Sequence, residues 1–208
     1  SFYCMLVSGG CQVQTDRFQP SRWWEEVATS RATIVHYLGV IIPLLLKQPE
    51  SEWEKKHVIR FGYGAGVEPQ LHAAFEQRFG FPLIELWGMT ETCGDGLVNY
   101  AQAEPHIRAL GKPDGHCEYK LDETGEICIR GGCVMLGYYK DPEATAEIID
   151  KDGWLHTGDL ARADEEGYYY ITGRKKNLII LDSGENVSPE ELESLLAKCP
   201  AVKECVVK

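Results

Sequence analysis

The chain has 208 residues, of which 44% are hydrophobic and 25% are charged, and this ordinary globular composition excludes a disordered or fibrous protein. With 21 basic and 32 acidic side chains, the formal net charge is −11. This balance argues against a nucleic-acid partner, because no basic run is long enough to displace counterions from phosphates.

Cysteine spacing and hydropathy bear on the compartment of the protein. The eight cysteines show no C-x-x-C spacing, so we interpret them as reduced, buried thiols of a cytoplasmic protein. The most apolar stretch, residues 32–46, contains His36, Gly39 and Pro43 and is shorter than the roughly 20 residues needed to cross a bilayer. We therefore expect no membrane span. The serine at position 1 leads us to expect a piece of a longer chain.

Strand and helix patterns alternate through the first half of the chain. Short β-rich runs predict strands at residues 3–7, 32–36, 58–61 and 82–86. Apolar side chains at helical spacing predict helices over residues 20–29 and from Pro69 onward. This order predicts an α/β fold with a parallel sheet layer and helices.

The middle of the chain changes to antiparallel patterns. Residues 117–121 and 126–130 alternate with period two around a turn, which predicts a hairpin, and residues 168–171 follow another turn in the same way. Between them, Asp141 is expected to cap a short helix that Pro142 opens. A small antiparallel β region therefore follows the parallel layer.

The last segment predicts one helix between two strands. The strands are expected at residues 177–181 and 202–207, and the helix begins with a capping box at Ser188. This unit is too small to bury its own core. We interpret it as the start of a small α+β C-terminal domain.

The glycine-rich run at residues 62–66 follows a predicted strand and precedes a helix, as a dinucleotide-binding loop does. The dinucleotide fingerprint requires a third glycine where Val67 stands, so it fails. What remains is backbone that a flat ligand could approach closely. A plain turn is the favoured interpretation of these residues alone.

Residues 87–92 form a more specific segment, just past the carboxyl end of a predicted strand, where open α/β sheets bind ligands. The ring of Trp87 can stack on a base, the Thr90 hydroxyl can donate to a phosphate oxygen, and the Glu91 carboxylate can hold magnesium. A loop with a core tryptophan and a solvated glutamate explains the same residues equally well.

Two further segments carry polar groups. Residues 154–159 end a predicted strand with Asp159, whose carboxylate can accept hydrogen bonds from both hydroxyls of a ribose or can cap a turn. Residues 173–176 lie where an inter-domain linker is expected. Solvated charges are the default interpretation of the basic triplet that they contain.

Together these segments resemble the adenylate-forming superfamily. The ordered motifs that carry the resemblance are residues 87–92, 125–127, 137–145, 154–159 and 173–176. That superfamily contains acyl-CoA synthetases, peptide-synthetase adenylation domains and luciferases. Residues 32–49 are most similar to carnitine/crotonobetaine-type acyl-CoA ligases, and the resemblance as a whole covers most of the chain.

The resemblance implies a two-step reaction that uses ATP, Mg²⁺ and coenzyme A. The carboxylate of a small-molecule acid attacks the α-phosphorus of ATP, which releases pyrophosphate and leaves an acyl-adenylate. The thiol of coenzyme A then displaces AMP and forms a thioester. Such chemistry is mostly positioning and charge stabilisation, which the side chains of the motifs can supply.

Carried over residue by residue, the resemblance first implies a nucleotide site. The adenine and acyl pocket would be lined by Gly64, Ala65 and Gly66. The nucleotide-binding loop would consist of Trp87, Gly88, Met89 and Thr90. In that loop Trp87 would flank the nucleotide, and Thr90 would bind the phosphate as a catalytic residue.

The remaining implied roles concern the metal, the ribose and the second half-reaction. Glu91 would bind magnesium and act in catalysis, and Asp159 and Arg174 would hold the ribose hydroxyls. Lys176 would be the catalytic hinge about which the C-terminal domain turns between the two half-reactions. Gly184 matches the loop that approaches the thiol in the second step.

The resemblance also predicts the domain organisation. Residues 1–173 would be the C-terminal part of the large domain, and residues 174–208 the hinge and the truncated start of the small domain. The family's Ser/Thr/Gly-rich phosphate loop and its C-terminal lysine find no match in these residues, so we expect the chain alone to be inactive. A carrier-protein adenylation domain and a non-catalytic nucleotide-binding remnant remain as alternatives.

Overall fold

The computed structural model of the chain describes residues 7–94, 96–100, 106, 109–113, 115–180, 186–196, 199, 201–202 and 205–207. The chain divides after Glu85 into two compact units, residues 1–85 and 86–208. Parallel strand pairs lie in the first unit and antiparallel hairpins in the second.

A parallel sheet forms the centre of the first unit. Strand β1 (Ile34–Leu38) pairs in parallel with β2 (Phe61–Ala65), and β2 pairs in parallel with the start of β3 (Leu83–Gly88). The helices that accompany these strands are α1 (Trp23–Ser30), α2 (Ile41–Leu46) and α3 (Pro69–Phe79). The parallel layer predicted from the alternating pattern is confirmed.

Aromatic side chains build the core of this unit. Trp24 of α1 stacks on Phe79 of α3 with ring centroids 4.2 Å apart, and Phe75 packs against the same indole. Helix α3 begins at Pro69 and ends before Gly80, whose φ of +82° is a left-handed conformation that glycine adopts without strain. Local signals thus set the ends of α3, while long-range aromatic contacts set its position.

The second strand differs from its predicted position. We expected a strand over residues 58–61 that ends before the glycines, but β2 begins at Phe61 and runs through Gly62 and Gly64. A Cβ on Gly64 would lie 2.1 Å from the carbonyl oxygen of Tyr37 on β1. The plain-turn interpretation is therefore wrong, because these glycines let two strands approach closely.

The second unit is built on antiparallel pairs. Its four-stranded sheet has the order β6 (Glu118–Leu121), β7 (Glu126–Arg130), β8 (Leu155–Ala163) and β9 (Tyr169–Arg174). The shorter pairs are β4 (Gly96–Asn99) with β5 (Lys112–Pro113), and β10 (Ile179–Ile180) with β11 (Asn186–Val187). The helices are α4 (Pro142–Ile148) and α5 (Pro189–Leu196).

Side chains close the turns of this unit where the sequence predicts them. In the β6–β7 hairpin, Asp122 Oδ1 accepts the backbone N–H groups of Thr124 and Glu126 over 2.8 and 2.9 Å. At the start of α4, Asp141 accepts the N–H of Ala144 over 3.0 Å. The predicted hairpin and the predicted helix cap are both confirmed.

For three predicted strands, the outcome differs from the prediction or lies mostly outside the described residues. Asp159 does not end a strand, since β8 continues to Ala163 because β9 pairs with it along that length. The described residues among 202–207 lie outside any strand, so that prediction is not borne out for them. The strand predicted over residues 3–7 falls mostly outside the described residues, and Val7 is not in a strand.

The cysteines depart from the expectation of reduced, buried thiols. Cys117 and Cys133 form a disulfide, so the expectation is wrong for this pair. Cys128 is buried, as expected, whereas Cys11, Cys93 and Cys199 are exposed. Period-two spacing placed Cys128 inside a strand, but sequence spacing alone does not indicate which distant cysteines meet.

The predicted fold class is confirmed, with a parallel layer and helices, an antiparallel β region and a short strand pair with a helix at the C-terminal end. The domain boundary at residues 173–174 is a different boundary from the division at Glu85, and it stays a prediction. Within the described part of the chain, no helix is long and apolar enough to cross a membrane.

Candidate functional site

The Asp159 carboxylate contacts two other predicted site residues, Trp87 and Arg174, in the second unit. Asp159 on β8 lies opposite Arg174 on β9 in the antiparallel register, and its side chain is buried. The indole N–H of Trp87 donates to Asp159 Oδ2 over 3.0 Å, and Arg174 Nε lies 2.7 Å from Oδ1. The structure thus brings together three residues that lie in three separate motifs of the sequence.

One oxygen of this carboxylate is held by an ion pair and accepts no regular hydrogen bond. Arg174 Nε forms an ion pair with Asp159 Oδ1, and this buried oxygen accepts no hydrogen bond of regular geometry. Buried carboxylate oxygens normally accept at least one hydrogen bond. The spare acceptor fits the hydroxyl groups that the resemblance assigns to Asp159 and Arg174.

A tight turn follows Trp87 and Gly88 at the end of β3. The Thr92 hydroxyl accepts the N–H of Met89 over 3.2 Å and lies 3.1 Å from the Met89 carbonyl, while Thr92 itself is fully buried. Thr90, at the start of the turn, is exposed. Sequence reasoning missed that Thr92 builds the turn, although a hydroxyl three residues after the first residue is a recognisable capping pattern.

Glu91 lies in this turn and is held from two sides. The Tyr138 hydroxyl donates to Glu91 Oε1 over 2.8 Å, and the backbone N–H of Met135 donates to the Glu91 carbonyl over 2.8 Å. The hydrogen bond to Glu91 raises the pKa of Tyr138 above its ordinary value. A single oriented carboxylate is the kind of ligand that Mg²⁺ takes together with substrate phosphates.

The glycine group lies in the first unit, at the end of β2. Gly64 and Ala65 are in the strand, and the N–H of Gly66 donates to Glu85 Oε2 over 2.9 Å. The Tyr37 hydroxyl donates to the other oxygen of Glu85, and burial raises the pKa of Glu85. Sequence reasoning missed Tyr37 and Glu85, although a glutamate inside an apolar strand was a usable signal.

The basic segment at the end of β9 is only partly solvated. Arg174 and Lys175 are exposed, but Arg174 also pairs with Asp159, and Lys175 Nζ donates to the buried Glu126 carboxylate over 2.7 Å, so these two are more than solvated charges. Lys176 is exposed, as that interpretation predicts. A cleft of about 620 Å³ runs past all three basic side chains. Gly184 falls outside the described residues.

Comparison with known proteins shows the family to which the chain belongs. The AMP-binding enzyme family matches residues 1–139, and the chain therefore belongs to this family. Over 96% of its length, the chain is 38% identical to the sulfoacetate–CoA ligase of Cupriavidus necator and 35% identical to the crotonobetaine/carnitine–CoA ligase of Shigella dysenteriae. The chain spans 41% of the length of each of these curated relatives.

A solved structure has the same fold. The o-succinylbenzoate coenzyme A synthetase of Bacillus subtilis, in complex with ATP and magnesium, matches 97% of the chain with a TM-score of 0.79 and 30% identity. The match covers 44% of that synthetase. An AMP complex of the same enzyme gives a TM-score of 0.80.

Proposed function

We propose that the protein containing this chain activates a carboxylic acid with ATP and transfers the acyl group to coenzyme A. The proposal rests on membership of the AMP-binding family and on relatives that are named CoA ligases. The structural observation that carries it is the buried Asp159, which Trp87 and Arg174 approach from two sides.

In this proposal Asp159 and Arg174 hold the ribose of the nucleotide. Asp159 is kept in place by the Trp87 indole, so one of its oxygens remains an acceptor of fixed position. A fixed acceptor needs little reorganisation when a hydroxyl arrives, which favours binding. The Gly64, Ala65 and Gly66 backbone would form a wall of the adenine and acyl pocket.

Thr90 and Glu91 would act on the phosphates. The exposed Thr90 hydroxyl can donate to a phosphate oxygen, and Glu91, oriented by Tyr138, can supply a carboxylate ligand to magnesium. When bound, magnesium would neutralise charge that develops on the phosphates during acyl-adenylate formation. Gly88 and Met89 would complete the loop that carries these side chains.

The second half-reaction would require the segment after β9 to move. We place the hinge at Lys176, which is exposed in the short turn after Arg174, with residues 174–208 as the start of the moving domain. Because Lys175 is tied to Glu126 while Lys176 is exposed, rotation at Lys176 would leave the end of β9 in place. Gly184 would then approach the thiol of coenzyme A.

The test is Glu91→Gln in the complete protein. Loss of the carboxylate charge should lower carboxylate-dependent pyrophosphate release about a hundredfold while the thermal unfolding midpoint stays unchanged. Glu123→Gln, at an exposed turn residue, is the matched control and should leave the rate unchanged. Pyrophosphate release within a few-fold of wild type in Glu91→Gln would contradict the proposal.

A product assay separates the remaining candidates. Thioester formation with free coenzyme A supports the ligase, whereas acylation of a phosphopantetheinylated carrier alone would identify a carrier-protein adenylation domain. Absence of pyrophosphate release with any carboxylic acid, together with retained ATP binding, would identify a non-catalytic nucleotide-binding protein.

A further inference from the structure

Four side chains with metal-ligating atoms converge beside β7 and β8. We call Asp122, Glu126, Cys128 and His156 the Glu126 cluster; one ligating atom from each lies within 4.8 Å of the others. Glu126 and Cys128 are buried, while Asp122 and His156 are partly exposed. None of the four is assigned a contact with substrate or nucleotide in the proposed ligase reaction, in which Glu126 serves only to anchor Lys175.

Backbone N–H groups engage one oxygen of each carboxylate. Asp122 Oδ1 accepts backbone N–H groups of its turn, which leaves Oδ2 on the side of Lys175 at 3.9 Å. Glu126 Oε1 accepts the N–H of Gly158 over 2.8 Å, which leaves Oε2 facing His156. The backbone therefore fixes both carboxylates with a second oxygen directed into the cluster.

Two spacings between the ligating atoms are close to those around a tetrahedral metal. His156 Nδ1 lies 3.2 Å from Glu126 Oε2 and 3.6 Å from Cys128 Sγ. Ligands at ordinary zinc bond lengths and tetrahedral angles are about 3.3–3.6 Å apart. A donor set of one imidazole, one thiolate and carboxylate oxygens suits zinc. We propose that the Glu126 cluster is a binding site for Zn²⁺.

Lys175 lies where the metal would bind. Its Nζ is 2.7 Å from Glu126 Oε2, and its charge partly compensates the two carboxylates of the cluster. Zinc would replace this ammonium group and take Cys128 as a thiolate, with the thiol proton leaving to solvent. Zinc and the Lys175 contact therefore exclude each other.

The surroundings of the cluster fit this assignment. The other imidazole nitrogen of His156, Nε2, lies 3.6 Å from Asp150 Oδ2, and a carboxylate behind a ligating histidine is a common arrangement at zinc sites. The cleft of about 620 Å³ is lined by His156 and Glu126, so two of the four ligating side chains border it.

The experiment uses Co²⁺ as a spectroscopic probe for zinc in the complete protein. Co²⁺ should give a thiolate-to-cobalt charge-transfer absorption, and Zn²⁺ should remove it in competition. Cys128→Ser and His156→Asn should each abolish the absorption and weaken Zn²⁺ binding at least about tenfold. Cys11→Ser, at an exposed cysteine, should leave both unchanged.

A fourth variant tests the exclusion of Lys175. Lys175→Met keeps the length of the side chain and removes its charge, so Zn²⁺ should bind about tenfold more tightly because no ammonium group has to be displaced. Thermal unfolding of each variant checks the fold. If Cys128→Ser does not fold, His156→Asn, at a partly exposed position, tests the zinc site in its place.

Each outcome of these measurements either supports or overturns the zinc site. Lack of the absorption in wild type, or its persistence in Cys128→Ser or His156→Asn, would overturn the zinc site. Unchanged Zn²⁺ affinity in Lys175→Met would overturn the inference that zinc takes the place of the Lys175 ammonium group. These readouts are independent of ligase activity, so failure of the zinc site and failure of the proposed function are distinguishable.

Discussion

The phenolic hydroxyl of Tyr138 donates a hydrogen bond to Oε1 of Glu91 across 2.8 Å, although 47 positions separate the two residues in the chain. Tyr138 belongs to the motif at residues 137–145, for which the sequence predicted a helix cap at Asp141 but no role in the reaction. The contact makes Tyr138 a positioning residue for the carboxylate that we assign to magnesium.

We expect Tyr138→Phe to raise the Mg²⁺ concentration needed for half-maximal pyrophosphate release about tenfold, because loss of the hydroxyl leaves Glu91 unoriented. The maximal rate at saturating Mg²⁺ should change less. Tyr139→Phe is the matched control, since the neighbouring Tyr139 is 88% exposed. Equal Mg²⁺ dependence in the two variants would contradict a positioning role.

Lys176→Pro should separate the two half-reactions. Proline fixes φ near −65° and removes the N–H, so the variant should hold the hinge in one arrangement. We expect adenylation from ATP to survive and thioester formation from supplied acyl-adenylate to fail. Lys176→Ala removes the charge but leaves φ free, and it should preserve both steps. Equal losses in both half-reactions of Lys176→Pro would remove Lys176 from the mechanism.

A hydrogen bond beside the hinge offers a second test of motion. The Ser188 hydroxyl, at the start of α5, donates to the carbonyl of Thr172 on β9 over 2.7 Å. Rotation at Lys176 would have to break this bond. Ser188→Ala should therefore speed the second half-reaction relative to the first. An unchanged ratio of the two half-reaction rates would argue that α5 stays with β9.

Gly64→Ala should destabilise the protein by about 1–3 kcal/mol, because its Cβ would lie 2.1 Å from the Tyr37 carbonyl oxygen and the strands would have to separate. Gly132→Ala is the control, since a Cβ there meets nothing within 4 Å, and it should change stability by less than about 0.5 kcal/mol. Denaturant unfolding measures both. Equal stability of the two variants would contradict the packing argument.

Asp164 makes stability depend on pH. Desolvation opposes its ionisation, but the N–H groups of Tyr168 and Glu166 and the Tyr170 hydroxyl outweigh it and lower the pKa of Asp164 below its ordinary value of 3.8. A lowered carboxyl pKa stabilises the fold above the unfolded value, and this stabilisation is lost as pH falls through the folded pKa.

Asp164→Asn should therefore lower the thermal midpoint at pH 7 and have little effect once pH falls below the folded pKa. Asp16→Asn, at an exposed aspartate, should leave the midpoint unchanged throughout. A midpoint difference between wild type and Asp164→Asn that does not shrink on acidification would show that Asp164 contributes through neutral hydrogen bonds alone.

Local chemistry made several elements predictable from the sequence. The helix opened by Pro69, the cap at Asp141 and the hairpin around Asp122 depend on side chains within four residues of each other, so their physical cause lies inside a short window. Predictions failed for residues whose conformation depends on contacts with distant parts of the chain. Gly62 and Gly64 look like a turn locally, but both lie in β2, where Leu83 and Tyr37 approach the positions that their Cβ atoms would occupy.

The sequence by itself determined the alternation of elements, the antiparallel hairpins and the ordered motifs that identify the family. Tertiary structure decided which motif residues meet. Trp87 and Asp159 are 72 positions apart, and Lys175 reaches Glu126 across 49. Backbone propensity and hydrophobic period act between near neighbours, whereas these contacts depend on how whole strands pack and register, which no local pattern of residue types specifies.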